Sequence, residues 1–297
     1  MYKRQALAAA ARSITDAETY RVETFVRTEL LLDDGGTVVI DPTLPDLFEY
    51  DGDRVSQLLR SVGPGFIEGA RSEGAGNPAF EALTERVDEL VVEQIVTPDA
   101  LYQLNHFGEI LAEVAGAGPS PVDQLFASGE WLRVDPAVLG LDVGQLAAAQ
   151  AGASALGPEL LGTVESIPGI ELEDLGVVGI DGTDTRAFRT ELTFGQINEA
   201  GTGFDPTGSL LAMDDESAIA ELSSAPVTIT IHVDRDLQAR RIEFVGTFPT
   251  DASPGVSSSS IDGRADVLDV DDPSIEVATP ERWTDATDAF RSVLGLD

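Results

Sequence analysis

The chain contains no cysteine. Disulfides, thiolate metal sites and cysteine nucleophiles are thereby excluded. Its two histidines are too few for a three-histidine metal centre. Cations are scarce as well: 18 Lys and Arg face 53 Asp and Glu, a formal charge of −35 over 297 residues. Nucleic-acid surfaces need clustered Lys and Arg to neutralise phosphates, so that class is excluded. Adsorption to anionic headgroups is disfavoured for the same reason. No run of about 20 apolar residues is present, so no transmembrane helix is expected. The nucleophile elbow, the phosphate-binding P-loop, the H-E-x-x-H zinc motif and a complete EF-hand loop are all missing.

What is present is enough for a folded core. Apolar residues make up 42% of the chain, too many for disorder by composition. The acidity fits either salt adaptation or the bias of a high-GC secreted protein, and it says nothing about fold. Lys3 is the only lysine. One coding of Met1 to Gln5 matches the end of a transposase sequencing adapter. Residues 1–12 are accordingly expected to be a sequencing scar and the tail of a missing export or linker segment. A real basic n-region is the alternative, although Ala6 to Ala11 is too short for a secretory apolar segment.

Period-2 alternation dominates the chain. Tyr20 to Leu32 places Val22, Val26 and Leu30 on one face and Arg21, Glu23 and Arg27 on the other, a long half-buried strand. Turn residues Asp33 to Gly36 lead to a short strand from Thr37 to Asp41. Phe48 to Arg60 is strand-like around a turn at Asp51-Gly52-Asp53. Residues 61–80 are predicted as loop, with short helices at Phe80 to Val87 and His106 to Ala115. Strands are predicted at Leu90 to Val96, Leu101 to Leu104 and Glu130 to Asp135. Residues 143–162 are Ala-rich and predict two helices broken near Gly157-Pro158.

Arg186 to Phe194 puts Phe188, Leu192 and Phe194 on one strand face. Residues 206–222 predict a helix. Val227 to Val233 and Ala239 to Phe248 form a hairpin with Ile229, Ile231, Ile242 and Phe244 facing inward. Ser257 to Val270 predicts a last strand and Thr284 to Leu294 a terminal helix. Strands in meander order interrupted by Ala-rich helices indicate an α+β fold with helices on one face of an antiparallel sheet. No repeat and no compositional break divides the chain, so residues 13–297 are expected to be one domain.

Reactive constellations are weak. Asp269, Asp271 and Asp272 suit a hard cation but lack the glycine and distal glutamate of a calcium loop, and a solvated turn is the simpler reading. Glu171, Glu173 and Asp174 offer the paired carboxylates of glycoside hydrolysis, a pattern that chance supplies among 53 acids. His232 lies on the polar side of its strand and is expected at the surface. Trp131 and Trp283 are expected in the core, with sugar stacking or a lipid cleft as the alternative. No cofactor and no metal site are expected.

Four ordered stretches resemble one family. Gly129 to Asp135 is similar to its "kWv-vD" segment. Leu175 to Phe194, with Asp181-Gly182-Thr183, resembles its "G-e-v-dG-v-T-hY-v-v" segment. Val227 to Phe244, with Val233-Asp234-Arg235-Asp236, resembles its "v-vWvD-dGlvrr" hairpin. Asp272 to Trp283, with Pro280, resembles its closing "v-i-aP" segment. The set resembles the LppX/LprAFG-type actinobacterial lipoproteins, which share the half-barrel of the LolA and LolB carriers, over about residues 13–284. Departures are His232 for the hairpin tryptophan, Asp236 for the turn glycine, Phe188 for the central tyrosine, and the missing lipobox cysteine.

The resemblance implies a single curved antiparallel sheet with helices on its concave face and a lipid-sized cavity between them. It implies no catalytic residues. Candidate cavity residues are Val22, Val26, Leu30, Leu146, Phe188, Leu192, Leu211, Ile229, Ile231, Ile242 and Phe244. The expected function is a non-enzymatic cell-envelope or secreted domain that binds or carries a lipid or other hydrophobic molecule. The expected state is a monomer, attached to a membrane only through a lipidated N-terminus absent from this sequence. Two alternatives are a structural or sensory envelope domain acting by protein contact, and a carboxylate-dependent hydrolase.

Overall fold

The structure is a computed structural model that describes residues 2–40, 44–60, 91–106, 125, 128–138, 158–199, 216–249 and 256–293. In chain order its strands begin with β1 (Thr19–Leu32), β2 (Thr37–Ile40), β3 (Asp46–Asp51), β4 (Arg54–Leu59), β5 (Val92–Thr97), β6 (Ala100–Asn105) and β7 (Leu132–Val134). They continue with β8 (Glu173–Ile180), β9 (Thr183–Thr193), β10 (Pro226–Asp234), β11 (Ala239–Pro249), β12 (Val256–Val270) and β13 (Thr284–Asp285). The described helices are α1 (Tyr2–Thr15), α2 (Pro158–Ser166), α3 (Phe194–Glu199), α4 (Glu216–Ser224) and α5 (Thr287–Val293). The class is α+β, with open, mostly antiparallel sheet and few short helices, as the alternation predicts. The expected loop at 61–80, the expected helix at 80–87, and most of the helices expected at 106–115, 143–162 and 206–222 lie outside the described residues.

The chain packs into two compact units, each made from two stretches of sequence. Unit 1 comprises Met1–Asp41 and Ala149–Asp272; unit 2 comprises Pro42–Ala148 and Pro273–Asp297.

In unit 1 the strand order is β2-β1-β12-β11-β10-β9-β8. Register fixes which residues share a face, because a one-residue slip would invert every side chain. Phe188 pairs with Ile231, Ile231 with Ile242, Ile242 with Ala265 and Ala265 with Thr24. Helix α1 packs on α2 and reaches β10 and β11, burying Ala6, Leu7, Ala10, Ala11 and Ile14. Phe188, Phe194, Phe244 and Phe248 are among the largest fully buried side chains. The Phe248 ring stacks on Phe244 at 6.3 Å and meets Phe194 edge-on at 5.5 Å, both favoured aromatic geometries. It also folds over Gly246, where a Cβ would lie 2.6 Å from the ring.

Turn chemistry sets the hairpins. Asp181 and Gly182 both have positive φ, 48° and 82°, the backbone of a type I′ turn between β8 and β9. At the β10–β11 turn the Asp234 carboxylate accepts hydrogen bonds from the Asp236 and Gln238 amides and pairs with Arg240. The expected strand Arg186 to Phe194 ends one residue early, because Phe194 opens α3. Thr193 Oγ1 accepts the Gln196 amide while Gln196 Oε1 accepts the Thr193 amide. That reciprocal capping box turns the chain from strand to helix.

In unit 2 the order is β13-β7-β6-β5-β4-β3, antiparallel except for the β13–β7 pair. One face carries Ile95 and Tyr102, packed with Val277 and Trp131. The chain around Val277 is held there by the Asp51 carboxylate and the Arg54 guanidinium. The other face carries Leu132 and Val134, packed with Leu125, Ala286 and Phe290. Trp283 is exposed rather than in the core; the Arg133 guanidinium lies 5.3 Å from its ring.

Candidate functional site

The helix-bearing face of unit 1 gathers the residues that alternation singles out. Val22, Leu30, Phe188, Leu192, Ile229, Ile231, Ile242 and Phe244 are buried, and Val26 is half-buried. Neighbouring pairs such as Val26 with Gly263, and Gly263 with Phe244, put them on one side of the sheet. Leu146 and Leu211 lie outside the described residues. Most of these side chains fill the core. Leu192 differs, because it also borders an open recess.

The recess is open to solvent, has a volume of about 640 Å3 and is lined by residues 167–173, by Arg189, Thr190, Glu191 and Leu192 of β9, and by Gln196 of α3. It exists because the chain leaving α2 does not pair with β9 until Glu173 meets Arg189. The irregular segment before that pair stands off from the sheet. Helix α1 props it there: Lys3 Nζ donates to the Leu172 carbonyl at 2.6 Å and Arg4 to the Ile170 carbonyl at 2.9 Å. Tyr2 lies under the Arg186 guanidinium at 5.6 Å. Lys3 and Arg4, set aside in the sequence as a scar, thus contact the wall of the recess.

Most of its accessible lining is polar, with charge from Glu171, Glu173, Arg189 and Glu191; Ile167, Ile170, Leu172 and Leu192 supply the smaller apolar part. Thr190 is 3% exposed and its hydroxyl has no hydrogen-bond partner. Burying an unpaired hydroxyl costs about 1–3 kcal/mol, so a ligand oxygen that reached it would recover that cost.

The carboxylates considered for hydrolysis fall into different roles. Glu171 and Glu173 line the recess, and the Arg189 guanidinium lies 4.0 Å from Glu173. Asp174 is gripped through both oxygens by Arg186. That hydrogen bonding, with the Gly176 amide, holds its carboxyl below the usual range. A general acid needs the opposite shift. The C-terminal aspartates of β12 are likewise structural: Asp269 pairs with Arg21, and Asp271 accepts the Glu18 amide.

His232 is not at the surface. It is 5% exposed, because β10 is flanked by β9 and β11 and its ring lies 3.4 Å from the Glu243 carboxylate. The imidazole holds Glu243 below the usual carboxylate value, with Arg241 and Arg264 adding to the effect. Alternation identified the face of His232 correctly but not how deeply long neighbouring side chains cover it. The recess itself had no motif; its only signal was the loss of alternation between α2 and β8.

The chain is similar to two mycobacterial proteins of known structure. LprF from Mycobacterium bovis is 12% identical, with a TM-score of 0.43 over 94% of this chain and 96% of that one. LppX from Mycobacterium tuberculosis is 14% identical, with a TM-score of 0.38 over 92% of this chain and 99% of that one. A LolA-superfamily protein from Nitrosomonas europaea reaches a TM-score of 0.23 at 10% identity, over 92% and 96%. No family model matches the sequence, and no curated protein matches it.

Proposed function

We propose that the protein is a non-enzymatic binder of a lipid or other hydrophobic molecule, in the cell envelope or secreted. The observation that carries this reading is the recess beside Leu192. Its volume of about 640 Å3 lies in the ordinary range for small-molecule sites, about 300–1,000 Å3. The apolar part of a ligand lies against Ile167, Ile170, Leu172 and Leu192, where each buried CH2 contributes about 0.8 kcal/mol. The polar part meets Thr190, Arg189 and Gln196. Residues 13–297 act as one monomeric domain in this reading.

The test is native mass spectrometry of the full chain after lipid extraction and re-addition. One bound lipid is expected for the wild type, and none for Leu192→Trp, whose indole would occupy the recess. Absence of any lipid adduct on folded wild type defeats the reading.

A second reading, protein contact without cargo, is favoured by one feature. Strand β8 ends the strand order of unit 1. Val177 on it is 71% exposed, and its Leu175–Ile180 stretch carries no charge to discourage edge pairing. A Val177→Lys change that abolishes complex formation while lipid uptake is absent would favour this reading.

A further inference from the structure

We propose, resting on the reading of the unit 1 recess as a ligand site, that this recess selects a primary alkylammonium group. Its lining carries three carboxylates, Glu171, Glu173 and Glu191, against one cation, Arg189. The Arg189 guanidinium lies 4.0 Å from Glu173. Glu171 and Glu191 have no counter-ion among the described residues. Lys3 and Arg4, the cations at the wall, are turned onto the Leu172 and Ile170 carbonyls instead.

The open edge of β9 adds an acceptor. Thr183 closes the β8–β9 hairpin opposite Ile180, and every second residue along an antiparallel strand turns its amide and carbonyl the same way. That direction returns at Arg189 and again at Glu191. Arg189 has Glu173 opposite it, but no residue of β8 lies opposite Glu191. The Glu191 carbonyl therefore opens towards the recess that the residue lines. An independent sign of a missing partner is Thr190, which also lines the recess. It is 3% exposed and its Oγ1 has no hydrogen-bond partner. A hydroxyl accepts as well as donates, whereas carboxylates and a carbonyl only accept. A ligand that satisfies this set brings positive charge and several N–H donors, and an ammonium brings three. The alkyl chain behind it lies along Leu192, Ile167 and Ile170. An anionic head would be repelled by the two uncompensated carboxylates.

The experiment titrates the full chain by calorimetry at neutral pH and physiological salt, where long-range attraction to the acidic chain is screened. The probes are octylamine, cationic under these conditions, its neutral counterpart octanol, and 1,4-diaminobutane, which carries the ammonium without the long chain. Octylamine is expected to bind about tenfold more tightly than octanol, the scale of a hydrogen bond to a charged group. Glu191→Gln is expected to weaken octylamine about threefold, the scale of an exposed ion pair. Thr190→Val is expected to weaken it about tenfold, and should fold because it removes an unpartnered hydroxyl. If it fails to fold, Glu191→Gln decides, since that change is at an exposed side chain. Glu276→Gln removes the same charge from an exposed position in unit 2 and is expected to change nothing. Equal weakening by Glu191→Gln and Glu276→Gln overturns the proposal, because the cation is then held by overall charge. Equal binding of octylamine and octanol, both lost in Leu192→Trp, also overturns it and leaves the recess reading intact. Diaminobutane binding as tight as that of octylamine supports the ammonium site with a free diamine as its source; much tighter octylamine binding supports an amphiphile. Binding of none of the three overturns both readings.

Discussion

Ile231 in unit 1 and Gln94 in unit 2 occupy equivalent places, mid-strand with a paired neighbour on either side. Ile231 lies between Phe188 and Ile242, Gln94 between Gln57 and Gln103. The first trio is fully buried; the second keeps hydrogen-bonding groups on the sheet surface. The backbone pattern is shared, so the difference lies in side-chain chemistry alone. Unit 1 draws its stability from apolar packing around four phenylalanines. Among the described residues of unit 2, one cluster around Ile95 and Tyr102 and another around Leu132 and Val134 lie on opposite faces.

Breaking the phenylalanine packing of unit 1 should cost the most. Phe248→Ala removes a ring that touches both Phe194 and Phe244, and is expected to lower stability by about 3–5 kcal/mol. Leu132→Ala in unit 2 is expected to cost less, about 2–3 kcal/mol, because a leucine side chain vacates less buried volume than a phenylalanine ring. Urea unfolding of the two variants measures both; equal losses would erase the contrast. Gly246→Ala sharpens it further. The added Cβ meets the Phe248 ring at 2.6 Å, and overpacking of this kind costs about 1–3 kcal/mol.

The smallest effect expected is electrostatic. Glu243 titrates below its ordinary value of 4.5 when folded, so it binds its proton less readily in the native state. Its contribution is present above the unfolded value and is lost as pH falls through the lower, folded one. Thermal melts should show wild type above Glu243→Gln at pH 6, with the gap closing progressively below about pH 4.5. A gap that widens in acid would contradict the sign.

The fold was legible wherever alternation was long. Strand β1 was assigned from Tyr20 to Leu32 and runs from Thr19 to Leu32; β12 was assigned from Ser257 and starts at Val256. The facing of Val22, Leu30, Ile229 and Phe244 followed from the same period. Phe194 was misplaced because two residues of alternation outweighed the Thr193-x-x-Gln196 capping pair. His232 was misjudged because period 2 reports a face, while burial depends on which strands end up on either side. The recess was least legible. Its lining comes from an irregular segment whose position depends on Lys3 and Arg4, more than 160 residues away in sequence.

Photo-crosslinking with a diazirine-bearing acyl chain tests the central claim most directly, because it reports where an apolar ligand sits rather than whether one binds. Peptide mapping after irradiation is predicted to place the crosslinks on residues 167–173 and 189–196, and to lose them in Leu192→Trp. Crosslinks spread over the exposed surface, or unchanged by that substitution, would contradict the account.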